Sequence, residues 1–420
     1  MQIPPPDTSG TLWQKLAQVP TFRSLQHRNY RLFFFGQIFS LIGTWMQSIA
    51  MSWLVYQLTY SSIWLGTIGF LTSIPSLFLS LFAGTLADRM SKRKLIFIMQ
   101  SAALCQALML GILVFTEYIS ISVVAVFALT LGIINAFDIP SRQSFLIHLV
   151  GKQDLANAIA LNSAVFNAAR IMGPAIGGIV IGVIGVGWCF TLNAISFIAV
   201  LYALYRMNVE EPPPQLERSS SVRAALKESV AYIRSDISLT GIMILVAVVT
   251  TFGWSYSVLL PIFADRELHI GAAGLGRLSM ATGIGAFISA ITVASSSQRV
   301  QPDRFIFAGI GIFAVSIIGF GLSTNSIVSM LCLVGVGMGL IACFSTTNAT
   351  LQASSPDWLR GRVMGLYSLV FQGMMPIGSL LSGFVARGIG VRWTVSIGGL
   401  VCAAAAVAVY SVRKGRHETL

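Results

Sequence analysis

Charge is scarce in this chain, and acid is the scarcest part of it. Only 10% of the 420 residues are charged, where a soluble domain carries about 25%. Asp and Glu together number 15, and none falls near the middle of a long apolar run. Cysteine is also sparse. Cys105, Cys189, Cys332, Cys343 and Cys402 all sit inside apolar runs without CxxC spacing. That excludes a disulfide framework and a thiolate metal site, and leaves them as small buried hydrophobes. His27, His148, His269 and His417 are scattered in loops and ends, so neither a metal nor a catalytic cluster is expected. No phosphate-binding P-loop occurs, which leaves direct ATP drive unsupported. An enzyme has no residues to be built from here, and no cofactor is expected. The first 30 residues lack a long apolar core followed by a small-residue cleavage site, so no cleavable signal peptide is expected.

What the chain has is apolar length. Hydrophobic residues make up 55% of it, and they gather in runs long enough to cross a bilayer as helices. Twelve such runs are legible, among them 32–56, 64–87, 95–115, 121–137 and 188–205 in the first half. Pro140 is expected to stop the fourth helix. The only long polar stretch, 207–241, opens with Glu210-Glu211-Pro212-Pro213-Pro214. It continues as an amphipathic surface helix over 222–233, with Val222, Leu226, Val230 and Ile233 on one face. This stretch divides the chain into an arm (1–31), a six-helix half (32–206), the linker (207–241), a second six-helix half (242–412) and a tail (413–420). In the arm, 12–16 and 22–25 read as short amphipathic pieces on the membrane surface. The halves echo one another. Gly173 and Gly178 of the fifth helix correspond to Gly378 and Gly383 of the eleventh, an offset of 205 residues, as in transporters built from paired repeats.

The net charge of +12 would fit a nucleic-acid partner if the cations were clustered on a soluble surface. They are not. Of the 27 Lys and Arg, 22 lie in segments that this layout puts on one membrane face. Arg266, Arg387 and Arg392 lie on the other face, and Arg170 and Arg277 lie within spans. Positive loops face the cytoplasm, so both termini are expected there, with the bilayer and not nucleic acid as the partner.

Within the spans, polar residues are the candidates for mechanism. Gln37, Ser40, Thr44, Ser48 and Ser52 recur at three- and four-residue steps on the first span, with Gln47 beside them. This face is expected on a central cavity. For the serines, packing between helices fits equally well. Thr250, Trp254 and Ser257 on the seventh span would face it, and Asn162, Asn167 and Arg170 come from the fifth. Arg170 lies about ten residues past the membrane entry, roughly 15 Å of helix, and so near the midplane. Arg277 is near the end of its span and can snorkel to the surface.

The densest charge cluster is Gly84-Thr85-Leu86-Ala87-Asp88-Arg89, followed by Lys92, Arg93 and Lys94. It resembles the loop signature between the second and third helices of the major facilitator superfamily of secondary transporters, with Ser91 where that family usually has a second glycine. The resemblance implies a latch on the cytoplasmic face. Asp88 would accept bonds from the start of the eleventh helix near Gly361 and Arg362. Lys92 or Arg93 would pair with Asp138, next to Arg142. Gly173-Pro174-x-x-Gly177-Gly178 resembles the fifth-helix motif of the drug–proton antiporters, with Ala169 where a further glycine is common. This implies a helix that prevents leak and favours export. The fourth span, by contrast, has Ala128 four residues before Gly132, where proton antiporters often carry arginine, and that route of coupling is excluded. Further pieces are 28–32, Asp138-x-Pro140-Ser141-Arg142-Gln143, 155–162 and 361–367. Together they resemble the transmembrane secretion effector branch, which includes siderophore (enterobactin-type) and macrolide exporters.

The resemblance implies a monomeric exporter in a bacterial plasma (inner) membrane. It would move amphipathic small molecules such as siderophores or macrolide-like drugs, with protons as the coupling ion. An importer or facilitator on the same fold, and a scaffold that does not transport, are the alternatives.

Overall fold

The computed structural model describes residues 20–209, 222–296 and 301–417. Within these, the side chains of 20, 80–89, 222–225 and 414–417 fall outside the description. The described residues are almost entirely helical, with no strand among them. A short 3-10 turn, Pro20–Gln26, precedes α1 (Arg28–Thr59), α2 (Ser62–Arg89) and α3 (Lys92–Phe115). The next helix, Ile121–Ile184, runs unbroken through Pro140 and turns instead at Gly151, whose φ of 70° is left-handed. It therefore supplies two spans, α4 (121–150) and α5 (152–184). Pro140 does not end the helix as expected, because the flanking residues still close their turns around it. Then come α6 (Val186–Arg206), the amphipathic α7 (Val222–Ser235), α8 (Ile237–Glu267), α9 (Gly271–Ser296), α10 (Pro302–Leu322), α11 (Ser326–Ser354), α12 (Asp357–Ile389) and α13 (Val391–His417). With α4 and α5 counted apart, all but α7 make twelve helices long and apolar enough to span a membrane.

The face where α1 begins is called here the terminal face, and the other the opposite face. Twelve crossings bring α13 back to the terminal face. Repetition of the halves is visible in the backbone. Gly185 joins α5 to α6 at φ 98°, and Gly390 joins α12 to α13 at φ 85°. The same symmetry governs how the halves meet. Gly178 of α5 crosses Gly276 of α9, where an added Cβ would lie 2.9 Å from the Gly276 Cα. Gly383 of α12 crosses Gly66 of α2, where it would lie 3.1 Å from the Gly66 Cα. Small residues let helix backbones approach this closely in lipid, where van der Waals packing replaces the hydrophobic drive.

Both crossings lie near the opposite face. Further contacts reach mid-depth, with Gly283 of α9 against Arg170 and Ile171 of α5, and Gly373 of α12 against Leu77 of α2. Toward the terminal face, no described residue of another helix comes within 4 Å of a Cβ added at Gly361 or Gly365 of α12. The halves thus converge at the opposite face and part toward the terminal face, leaving a cleft between them.

α8 is not a regular helix. Two wide π turns, Val249–Gly253 and Phe263–Glu267, interrupt it. They are closed by Trp254 N–H to the Val249 carbonyl and Leu268 N–H to the Phe263 carbonyl, both 2.9 Å. Such turns re-aim the side chains that follow them and are common at functional sites. α7 packs on α12 and α8 of the second half. Tyr232 donates to the Ser354 carbonyl at 2.6 Å, and Glu228 pairs with Arg362.

The turn Pro20–Gln26 docks on the elbow between α4 and α5, and the expected surface piece 12–16 lies outside the described residues. Asp154, just past the elbow on the terminal face, accepts from Gln26 at 2.9 Å and faces His27 Nε2 at 2.7 Å and Arg23 Nε at 2.9 Å. The His27 hydrogen bond, helped by Gln26 and Arg23, holds its carboxyl below the ordinary carboxylate range, and burial opposes them. A depressed folded pKa means that this clamp stabilises the fold at pH above about 4, and the contribution is lost as pH falls through the lower folded value. Asp154→Asn is therefore expected to free the arm at neutral pH. Trypsin should cut after Arg23 several-fold faster than in the parent, with transport unchanged. Equal cleavage rates would count against the clamp.

Candidate functional site

Arg170 lies midway along α5, where the two halves meet. Its guanidinium is 5.9 Å from the ring centre of Trp45 on α1 and 5.7 Å from that of Trp254 on α8. One indole comes from each half, so the cation bridges them. Trp45 is fixed by Gly173, whose missing side chain leaves room for the Trp45 Cβ, and by an edge contact with Phe166 at 5.6 Å. Trp254 immediately follows the first π turn of α8. Among the described residues, Arg170 has no ion pair and no hydrogen bond to its side chain, and it is half-buried.

Behind Trp254 stands an aromatic wall from α11 and α12. Phe344 and Phe371 lie 6.0 and 5.9 Å from Trp254 and 4.9 Å from each other, and Tyr367 stacks on Phe371 at 6.2 Å. A niche of about 340 Å³ opens beside it, lined by Phe344, Ser345, Asn348 and Tyr367. None of these four was expected at the site, although Tyr367 closes the 361–367 stretch. Their one signal was Ser345 and Asn348, polar residues within an apolar run. A cation between indoles, next to aromatic rings with amide and hydroxyl groups at their edge, suits an amphipathic ligand carrying negative charge.

The opposite end of the cleft is closed. Tyr56 at the end of α1 donates to Asp265 Oδ2 at 2.7 Å across the halves. Arg266 donates to the Tyr60 carbonyl at 3.4 Å and lies 6.0 Å from the Tyr60 ring. Ser62 donates to the Gly383 carbonyl at 2.8 Å. Asp265 and Arg266 belong to the second π turn of α8, which places both toward the first half. The sequence marked Arg266 only as a cation of that face, and Asp265 not at all.

Three expected cleft residues, Gln37, Gln47 and Thr250, are buried away from it. Gln37 and Gln47 are each 2% exposed and so do not line the cleft. Gln47 accepts from Asn193 of α6 at 2.6 Å and donates to Gln106 of α3 at 3.0 Å, joining three helices of one half. Gln37 accepts from Arg142 at 2.7 Å. Thr250, 1% exposed, is sealed inside the π turn. Thr44 bonds the Ser40 carbonyl of its own helix, Asn167 that of Ser163, and Ser257 that of Trp254. Asn162 is half-buried on α5. Of the motif glycines, Gly173 and Gly177 pack on α1, and Gly178 on α9.

The expected pairing of Asp138 also changes. Its partners are Arg142, one helical turn on at 2.8 Å, and Gln100 at 3.0 Å, in place of Lys92 or Arg93. Arg93 reaches the Leu204 and Tyr205 carbonyls at the end of α6, at 2.8 and 3.1 Å. Proximity explains this, because an i, i+4 arginine needs no loop to fold back. Arg362 is paired with Glu228 of α7. The side chains of Gly84, Asp88 and Arg89 lie outside the described residues.

Gln47→Leu is expected to weaken the first half by about 1 kcal/mol. This should appear as earlier thermal unfolding in detergent, with transport by the assembled protein kept. Full loss of transport at normal membrane levels would return Gln47 to the cleft.

Two pseudo-symmetric six-helix halves around a central cleft define a secondary transporter of the major facilitator fold. The family described as transmembrane secretion effector, a branch of that superfamily, matches residues 19–419, and the chain belongs to it. It is 27% identical over 372 residues to a staphyloferrin A transporter of Staphylococcus aureus (strain NCTC 8325 / PS 47), covering 88% of this chain and 92% of that one. It is also 27% identical over 348 residues to the enterobactin exporter EntS of Escherichia coli O1:K1 / APEC, covering 81% of each. Among solved structures it resembles the nucleoside transporter NupG, with a TM-score of 0.70 and 14% identity over 93% of this chain and 99% of that one. A bacterial homologue of the lysosomal transporter Spinster gives a TM-score of 0.67 and 14% identity over 91% and 94%. The chain is a multi-span membrane transporter, and its family and relatives are transporters, not enzymes.

Proposed function

We propose that the protein exports an anionic, amphipathic siderophore-like molecule across a bacterial plasma membrane in exchange for protons. The observation that carries this reading is Arg170, a cation without a counter-charge among the described residues, held between indoles at the apex of the cleft. An unpaired guanidinium at mid-membrane is costly unless it serves a ligand. The relatives are named for siderophores, and one of them as an exporter. The terminal face, which holds most of the cations, is the cytoplasmic one in this reading. The cleft then opens toward the cytoplasm, where an exporter loads. The Gly173–Gly178 helix, packed on both α1 and α9, suits a leak-tight export cycle. A monomer suffices, because both halves of the cleft come from one chain.

Everted membrane vesicles test this. A carboxylate-bearing siderophore should accumulate when an inside-acid proton gradient is imposed, and the accumulation should collapse with a protonophore. Arg170→Ala should lower the initial rate at least tenfold at equal membrane levels, while Arg170→Lys keeps part of it. Unaltered transport in Arg170→Ala would remove Arg170 from the site. Uptake that ignores the proton gradient would remove the coupling ion.

A further inference from the structure

We propose that the substrate-free transporter holds a small inorganic anion, chloride in a cell, on the guanidinium of Arg170, and that the substrate's own anionic group replaces it. The inference rests on the reading of Arg170 as the substrate's anion site.

Arginine cannot escape its charge by losing a proton inside a protein, and its five N–H donors point outward in the plane of the guanidinium. Indole rings attract the cation through their faces and leave those in-plane donors unmet. Two acids already described are committed elsewhere. Asp138 is bound to Arg142 and Gln100, and Asp265 to Tyr56. Arg170 itself has no hydrogen bond to its side chain and no ion pair among the described residues. Yet it is half-buried rather than sealed, at the apex of a cleft open to the terminal face. A small anion from water can reach it and neutralise the charge in the resting state. The substrate then enters by exchange of one anion for another, and the protein never has to bury an added net charge.

The test uses purified full-length protein in lipid nanodiscs without substrate. Sodium iodide is titrated against sodium gluconate at constant ionic strength. Iodide quenches indole fluorescence on contact, and Trp45 and Trp254 flank the site. A saturable quenching component is expected. It should shrink in Trp45→Phe and in Trp254→Phe, persist in Arg170→Lys, vanish in Arg170→Gln and be displaced by chloride. Quenching that rises only linearly, or a saturable component that Arg170→Gln retains, overturns the proposal, because the guanidinium is then met by water alone. In transport assays, replacing gluconate by chloride on the loading side should raise the substrate KM several-fold with an unchanged maximal rate. If Arg170→Gln abolishes transport but no saturable halide component exists, the exchange inference falls and the substrate site stands. If Arg170→Gln transports normally, both fall.

Discussion

Gly178→Val is expected to abolish transport, at least a hundredfold in initial rate, with normal insertion in the membrane. The first added carbon would already lie 2.9 Å from the Gly276 Cα and 3.0 Å from the Ala272 carbonyl. Both are backbone atoms and cannot turn aside as a side-chain tip can. Overpacking of this kind costs about 1–3 kcal/mol where a core can yield. Here the yielding motion would be separation of α5 from α9, which undoes closure at the opposite face. Gly182 provides the control. It lies one turn further along α5, and its nearest neighbour, the Ala273 Cβ, is 3.9 Å away. Gly182→Val should stay within twofold of the parent. Everted-vesicle uptake normalised to membrane level checks both. Equal loss at the two positions would mean that bulk on α5, not the crossing, is what fails.

Tyr56→Phe should open the opposite face. The bond it removes, phenol to carboxylate at 2.7 Å, joins α1 to α8 across the halves. Hydrogen bonds to charged groups contribute about 1.5–3 kcal/mol when buried. Partial exposure lowers this to roughly 1–2 kcal/mol, about a tenfold shift between two access states. A cysteine introduced at Ser257 should react about tenfold faster with a membrane-impermeant thiol reagent added on the opposite face. Asp265→Asn should do likewise, and the double variant should add little to either single one, as groups sharing one interaction behave. Additive effects would show that the two residues act through separate contacts.

The fold was legible because lipid imposes simple rules. Run length gave the helices, and the bias of Lys and Arg gave a layout. The pairing of Gly173 and Gly178 with Gly378 and Gly383 showed the repeat, and these glycines do mark helix crossings. Arg170 stood out on cost alone. What stayed hidden depends on neighbours. A three-and-four spacing shows that Gln37, Ser40 and Thr44 share a side of α1, but not which helix covers that side. Asn193 and Gln106, distant in sequence, take Gln47 into the interior of one half. The π turns that aim Trp254 and Asp265 carry no sequence mark. Phe344 and Phe371 read like any phenylalanine facing lipid. Pro140 misled because a proline within a long membrane helix can be accommodated by its surroundings, while Gly151 turned the chain with a left-handed φ that only the backbone reveals.

The glycine crossings have a mechanical meaning. Gly66–Gly383 and Gly178–Gly276 lie at similar depth on either side of the molecule, and backbone meets backbone at both. At each, the atoms nearest an added Cβ are all backbone atoms. Two bodies touching along such a line can rock on it as on a knife-edge, without teeth to disengage. Each half can then tilt nearly as a rigid body, and little of the activation barrier between access states should arise at the fulcrum. The rate of switching would be governed at the rims, as where Tyr56 meets Asp265.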